Sequence, residues 1–183
     1  MPIVNTDIVY RLTVKAGAAG DTTAQAAPTN PTTGSLGGFT STSVMGAGAN
    51  SLFDDISGAE NTASTVDYRA FDILNNHATL TAQNAVVYLS AEVGAGASIA
   101  IAVDNTGPVA KTSASQGANI ATETTAPTGV GAFSSPTTAG TGLALGSIPP
   151  GQIRRVWVKR TAANSAALDS DGVTFAVACD TAA

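Results

Sequence analysis

Hydrophobic and polar residues alternate clearly in 7–15, DIVYRLTVK. Ile8, Tyr10, Leu12 and Val14 fall on one face, and Arg11, Thr13 and Lys15 on the other. This period of two predicts a half-buried strand with one wet face. Further along, VDYRAFDIL (66–74) runs into the turn signal NNH. ATLTAQ and AVVYLSAEV follow, and Ile99, Ile101 and Val103 share one face of IAIAV. Near the end, Val173, Phe175, Val177 and Cys179 alternate with Thr174, Ala176 and Ala178, which points Cys179 into a core. Seven or eight short strands separated by polar, Gly- and Pro-rich turns, without a long amphipathic helix, predict an all-β fold. The expected architecture is a single antiparallel β-sandwich of jelly-roll or immunoglobulin-like topology.

Two stretches break the pattern. Residues 16–66 are rich in Ala, Gly, Thr and Pro and carry no sustained period. So long a connection is read as an extended arm or loop. The expected organisation is therefore a first strand in 1–15, the arm in 16–66, and a sandwich body in 67–183 that strand 7–15 joins. Within the arm, NSLFDDISGAE (50–60) offers Leu52, Phe53 and Ile56 as an apolar anchor that wants a partner surface. Residues 109–141 form a second weakly patterned stretch.

Composition adds a physical constraint. Hydrophobic residues make up 44% of the chain but aromatics only 5%, so much of the apolar content is Ala, which buries little area per residue. Charged residues are 11%, against about 25% in ordinary soluble domains. A surface so sparsely charged suits a subunit covered by neighbours. The formal net charge of −5 excludes nucleic acid as the principal partner, because phosphate binding needs a broad positive field. No apolar run approaches the length of a membrane helix, and the N-terminus lacks the pattern of a signal peptide. The expectation is a chain made and folded in a cytoplasm.

Little in the sequence carries chemistry. His77 is the sole histidine and sits in the turn LNNHATL, where a turn role outweighs a catalytic one. Cys179 is the sole cysteine, so neither an internal disulfide nor a Cys-based metal cluster can form within one chain. Asp54 and Asp55 are adjacent and lack a partnering acidic cluster, which argues against an acid–base pair. Asp169, Asp171 and Gly172 have the spacing of part of a calcium loop, but alanines stand at 167 and 178, where an EF-hand needs acids. The expectation is no catalytic site, no cofactor and no metal.

LGSIPPGQIRRVWVKR (145–160) holds half of the eight basic residues and the only tryptophan. Pro149, Pro150 and Gly151 set a turn. The strand after it places Val156 and Val158 on one face and Arg155, Trp157 and Lys159 on the other. That basic face admits two readings. It is either a solvated sandwich strand whose charges guard an edge, or an interface, since Arg and Trp are enriched at binding hot spots. The candidate partner-binding residues are therefore Leu52, Phe53, Ile56, Arg154, Arg155, Trp157 and Lys159.

The succession SLGGFTSTS, NSLFDDISGAE, YRAFDILNNHATLTAQNAVVYLSAE, ETTAPTGVGAFSSPTT and LGSIPPGQIRRVWVKRTAANSAA resembles small structural proteins encoded in the virion gene blocks of tailed bacteriophages. The resemblance spans most of the chain. It implies a capsid decoration, or cement, protein on the outer surface of the head. Such a protein is made in the host bacterial cytoplasm and binds the major capsid protein and other copies of itself, with no nucleic acid and no membrane as partner. A tail or head-to-tail structural protein is the alternative within that class. A carbohydrate-binding β-sandwich module is the alternative outside it, although one Trp and three Tyr supply few stacking platforms.

Overall fold

The structure is a computed structural model that describes residues 2–92, 96–166, 168 and 171–181. Among the described residues nine strands and one short α-helix follow one another, besides two single 3-10 turns: β1 (Ile8–Val14), β2 (Phe39–Val44), α1 (Gly58–Ala63), β3 (Val66–Asn75), β4 (Ala82–Glu92), β5 (Ser98–Val103), β6 (Val109–Ala110), β7 (Leu143–Ile148), β8 (Gln152–Thr161) and β9 (Val173–Thr181). They form two antiparallel sheets packed as a sandwich. The larger has the order β2-β1-β3-β8-β5, with β6 also on β8, and the smaller has the order β7-β4-β9. The turn Pro149–Gln152 carries the chain from the small sheet to the large one. Gly151 holds the positive φ of +71° that this turn needs, and its N–H donates to Asn75 at 2.8 Å.

Between the sheets lies the main core. Leu12, Phe71, Ile73, Ile99, Ile101, Val156 and Val158 from the large sheet meet Ala82, Ala85, Val87, Leu89, Leu145 and Ile148 from the small one. Tyr10, Phe175, Val177 and Cys179 pack against this core half-buried, as the alternation in β1 and β9 predicts. Burial pushes the Tyr10 phenol up to about 12, and its ring lies 5.9 Å from that of Phe71.

The far face of the large sheet is not wet. Leu36, Ala70, Ile120 and Trp157 form a second buried cluster there, edged by Tyr68, Val130 and Phe133. Its roof is built from the unpatterned stretches, 16–38 and 113–134. The expectation of an extended arm in 16–66 is thereby corrected: Phe39–Val44 pairs with β1, and the preceding residues fold back over their own sheet. Thr13, placed by alternation on a wet face, is fully buried, with its hydroxyl on the Ala70 carbonyl.

An irregular roof must satisfy its backbone polar groups without a ladder. Gln25 donates to the carbonyls of Thr13 (2.9 Å) and Thr33 (3.2 Å) and accepts from the Ala27 N–H. Gln116 takes the Thr40 N–H at 2.6 Å and gives its amide to Ala110 and Lys111. Beyond Leu12, where β1 stops pairing with β3, loop carbonyls take over the edge. Tyr68 N–H donates to Glu123 and Ala70 N–H to Ser35, each at 2.7 Å.

Candidate functional site

Trp157 and Arg155 lie on the far face of β8, opposite Ala70 and Asp72 of β3. Alternation identified that face correctly but not its surroundings. Trp157 is 0% exposed and Arg155 2%. The indole N–H donates to Asp104 Oδ2 at 3.1 Å. The Arg155 guanidinium forms a two-pronged pair with Asp72 (2.9 and 3.0 Å) and donates to the carbonyls of Gly38 and Ala118. The basic docking surface expected here is therefore corrected for these two residues: both face the roof. A fully buried cation needs its partners supplied internally, and Asp72 and two loop carbonyls supply them.

The other candidates are spread apart. Arg154 lies on the opposite face of β8, half-buried; its guanidinium donates to the Thr106 carbonyl, and burial lowers its pKa against the pull of Asp104. Lys159 is half-buried too. Leu52, at 7% exposure, belongs to the main core of this same chain, and Phe53 packs against that core. The expectation that these two side chains are buried on a neighbouring subunit is thus corrected. Ile56 remains half-buried nearby in sequence. The seven residues do not form one surface.

Phe53 leads to a cluster of charge that sequence reading missed. The Arg160 guanidinium sits 4.7 Å over the Phe53 ring and donates to the Asp54 carbonyl and carboxylate (the latter at 3.2 Å) and to Asp67 Oδ2 at 2.9 Å. Arg69, fully buried, reaches sideways to the carbonyls of Thr29 and Asn30, each at 2.6 Å, and to Glu123 Oε2. Burial lowers the Arg69 pKa, with Glu123 opposing. Burial likewise raises the Glu123 pKa, with Arg69 opposing. Glu60 completes the group from the first turn of α1. Its carboxylate accepts the Ser57 N–H at 2.7 Å while Ser57 Oγ accepts the Glu60 N–H, a reciprocal cap that holds the Glu60 carboxyl below its usual range. One oxygen each from Glu60, Asp67 and Glu123 lie within 4.8 Å of one another. Only the Ser57-x-x-Glu60 capping spacing was available as a sequence signal. The meeting of 60, 67 and 123 is a consequence of the tertiary fold.

Elsewhere several titratable residues have structural partners. His77 Nδ1 accepts the N–H groups of Thr79 and Leu80 at 3.0 and 2.9 Å, tying the turn between β3 and β4. Asp171 Oδ2 accepts the Ala97 N–H, while Asp169 lies outside the described residues. Burial raises the Cys179 thiol pKa, with Asp180 adding to the effect. A surface hollow of about 300 Å³ is lined by Val103, Gly131, Ala132, Ser134, Leu143 and Ala144, none of them ionisable. No family model, curated protein or solved structure matches the chain.

Proposed function

We propose that this chain is a structural protein of a tailed-bacteriophage virion, a decoration protein that attaches to the outer head shell and reinforces it through many repeated contacts. The observation that carries the reading is the resemblance of five segments spanning 35–167 to virion structural proteins. Those segments hold β4 and β8, nearly all of β2 and β3 and most of β7, and so reach both sheets. A sandwich with a second buried layer suits the role, because a cement protein must resist deformation while each of its own contacts stays modest. The surface suits it as well. Three of the eight cations, Arg69, Arg155 and Arg160, are consumed inside the molecule, so the exterior is even less charged than the composition implies. Ala, Thr, Ser and Gly dominate the exposed loops.

One observation weighs against the carbohydrate-binding alternative: among the described residues no aromatic side chain is exposed, and the large apolar residues that are exposed are Val4, Val44 and Leu168. The test is to mix the purified protein with heads of the parent phage stripped of their accessory proteins, then image the product by cryo-electron microscopy. Added density repeating on the head lattice supports the decoration reading. Density confined to the tail or the head-to-tail junction replaces it with the alternative, and no association with any virion part removes it.

A further inference from the structure

We propose that Glu60, Asp67 and Glu123 form a binding site for a divalent cation of calcium's size. This departs from the expectation of a metal-free chain and is independent of the virion reading.

Geometry comes first. Oxygens coordinating calcium sit about 2.3–2.6 Å from the ion, so oxygens sharing one ion lie no more than roughly 5.2 Å apart, and this trio, all within 4.8 Å of one another, meets that limit. Magnesium, which demands near-octahedral geometry at about 2.0–2.1 Å and keeps several waters, suits three carboxylates set on separate elements less well. The free valences come next. Each carboxylate gives one oxygen to a protein donor: Glu60 Oε2 to the Ser57 N–H, Asp67 Oδ2 to Arg160, and Glu123 Oε2 to Arg69. The second oxygen of each has no N–H donor among the described residues. For Asp67 this matters most, because the residue is 2% exposed and its Oδ1 is buried with no hydrogen-bond partner. A carboxylate oxygen removed from water and left unpaired is costly, and a cation removes that cost.

Charge points the same way. Asp54, Glu60, Asp67 and Glu123 oppose only Arg69 and Arg160, four carboxylates against two guanidiniums, which leaves two negative charges. One divalent ion neutralises them. A bound ion would tie α1, the start of β3 and the roof segment at 123 together at one point.

The experiment uses the intact chain freed of divalent ions with EDTA and dialysed. Calcium chloride is then titrated calorimetrically, and thermal unfolding is followed with and without it. Expected are one site per chain, a rise in Tm of roughly 5–10 °C at about 100-fold excess over Kd, and a smaller response to magnesium chloride at equal concentration. Glu60→Gln keeps the helix cap, because Gln also serves at that position, and should weaken calcium binding at least about tenfold. Asp67→Asn should abolish it, and Asp180→Asn, whose carboxylate lies on β9 and accepts from Asn84, should bind like wild type. If ion-free wild type gives neither heat nor a Tm shift with calcium, the pocket is satisfied by water and the proposal fails. It fails equally if Glu60→Gln binds calcium as wild type does, an outcome readable even if Asp67→Asn does not fold.

Discussion

At Gly37 the roof touches the sheet. This residue holds φ +82°, and a Cβ built there would lie 2.3 Å from the Ala118 carbonyl oxygen and 2.9 Å from the Trp157 ring. Both obstacles are rigid, one being backbone and the other a fully buried indole. Gly37→Ala should therefore cost about 2–4 kcal/mol, combining the left-handed backbone penalty with overpacking, as read from the shift of the denaturant midpoint. A variant as stable as wild type would mean the roof does not sit on Trp157. Arg155 allows a second residue-level test. Removing it alone strands the Asp72 carboxylate, and Arg155→Met should lose about 3–5 kcal/mol. Arg155→Met with Asp72→Leu should recover most of that loss, because no buried charge is left unpaired. Equal destabilisation of the single and double variants would show that the guanidinium acts chiefly through the Gly38 and Ala118 carbonyls. These residues also mark what alternation conveys. It assigned Arg155 and Trp157 to one face and Val156 and Val158 to the other, as found. It carried no information on what lies over each face.

Among the elements, strands with a strict period were legible: β1, β5, β8 and β9 lie where the alternation places them, and β3 occupies the run 66–74 that the NNH turn signal ends. Residues 16–38 were not, for a physical reason. Their structure rests on side-chain bonds from Gln25, Arg69 and Arg155 to loop carbonyls, and such bonds have no period. Leu52 and Phe53 were rightly singled out as an anchor, but the partner they find is the main core. Leu52→Ser/Phe53→Ser should accordingly lower the melting temperature of the isolated chain by several degrees or more, Leu52 alone being worth about 2–4 kcal/mol. An unchanged melting temperature would return these side chains to an intermolecular role. The cap of α1 yields a pH test. The Glu60 carboxyl has its pKa lowered below 4.5 in the fold, first by the Ser57 hydrogen bonds and to a lesser degree by Arg160. A lowered folded-state pKa contributes stability above the unfolded value and loses it as pH falls through the folded one. In the presence of EDTA, wild type should lose this contribution below about pH 4.5, whereas Glu60→Gln should show a shallower acid dependence there. Identical profiles would mean the capping carboxylate contributes nothing.

For the whole molecule, the two buried layers share their central strands. β3 and β8 present Phe71, Ile73, Val156 and Val158 to the main core and Ala70 and Trp157 to the roof, so neither layer can separate without disturbing the same two strands. The sole tryptophan lies in the roof layer, which makes its fluorescence a reporter for that layer alone, while far-UV circular dichroism follows the sheets as a whole. Native emission should be blue-shifted and resistant to acrylamide, in contrast to the exposed hot spot that the basic strand suggested. Because the layers are joined through β3 and β8, denaturant unfolding should give coincident transitions by the two probes, the behaviour of a single cooperative unit. A fluorescence transition preceding the circular dichroism transition would show that the roof opens on its own, and that 16–38 and 113–134 form a separate, weaker layer able to release Trp157 to a partner while the sandwich stays folded.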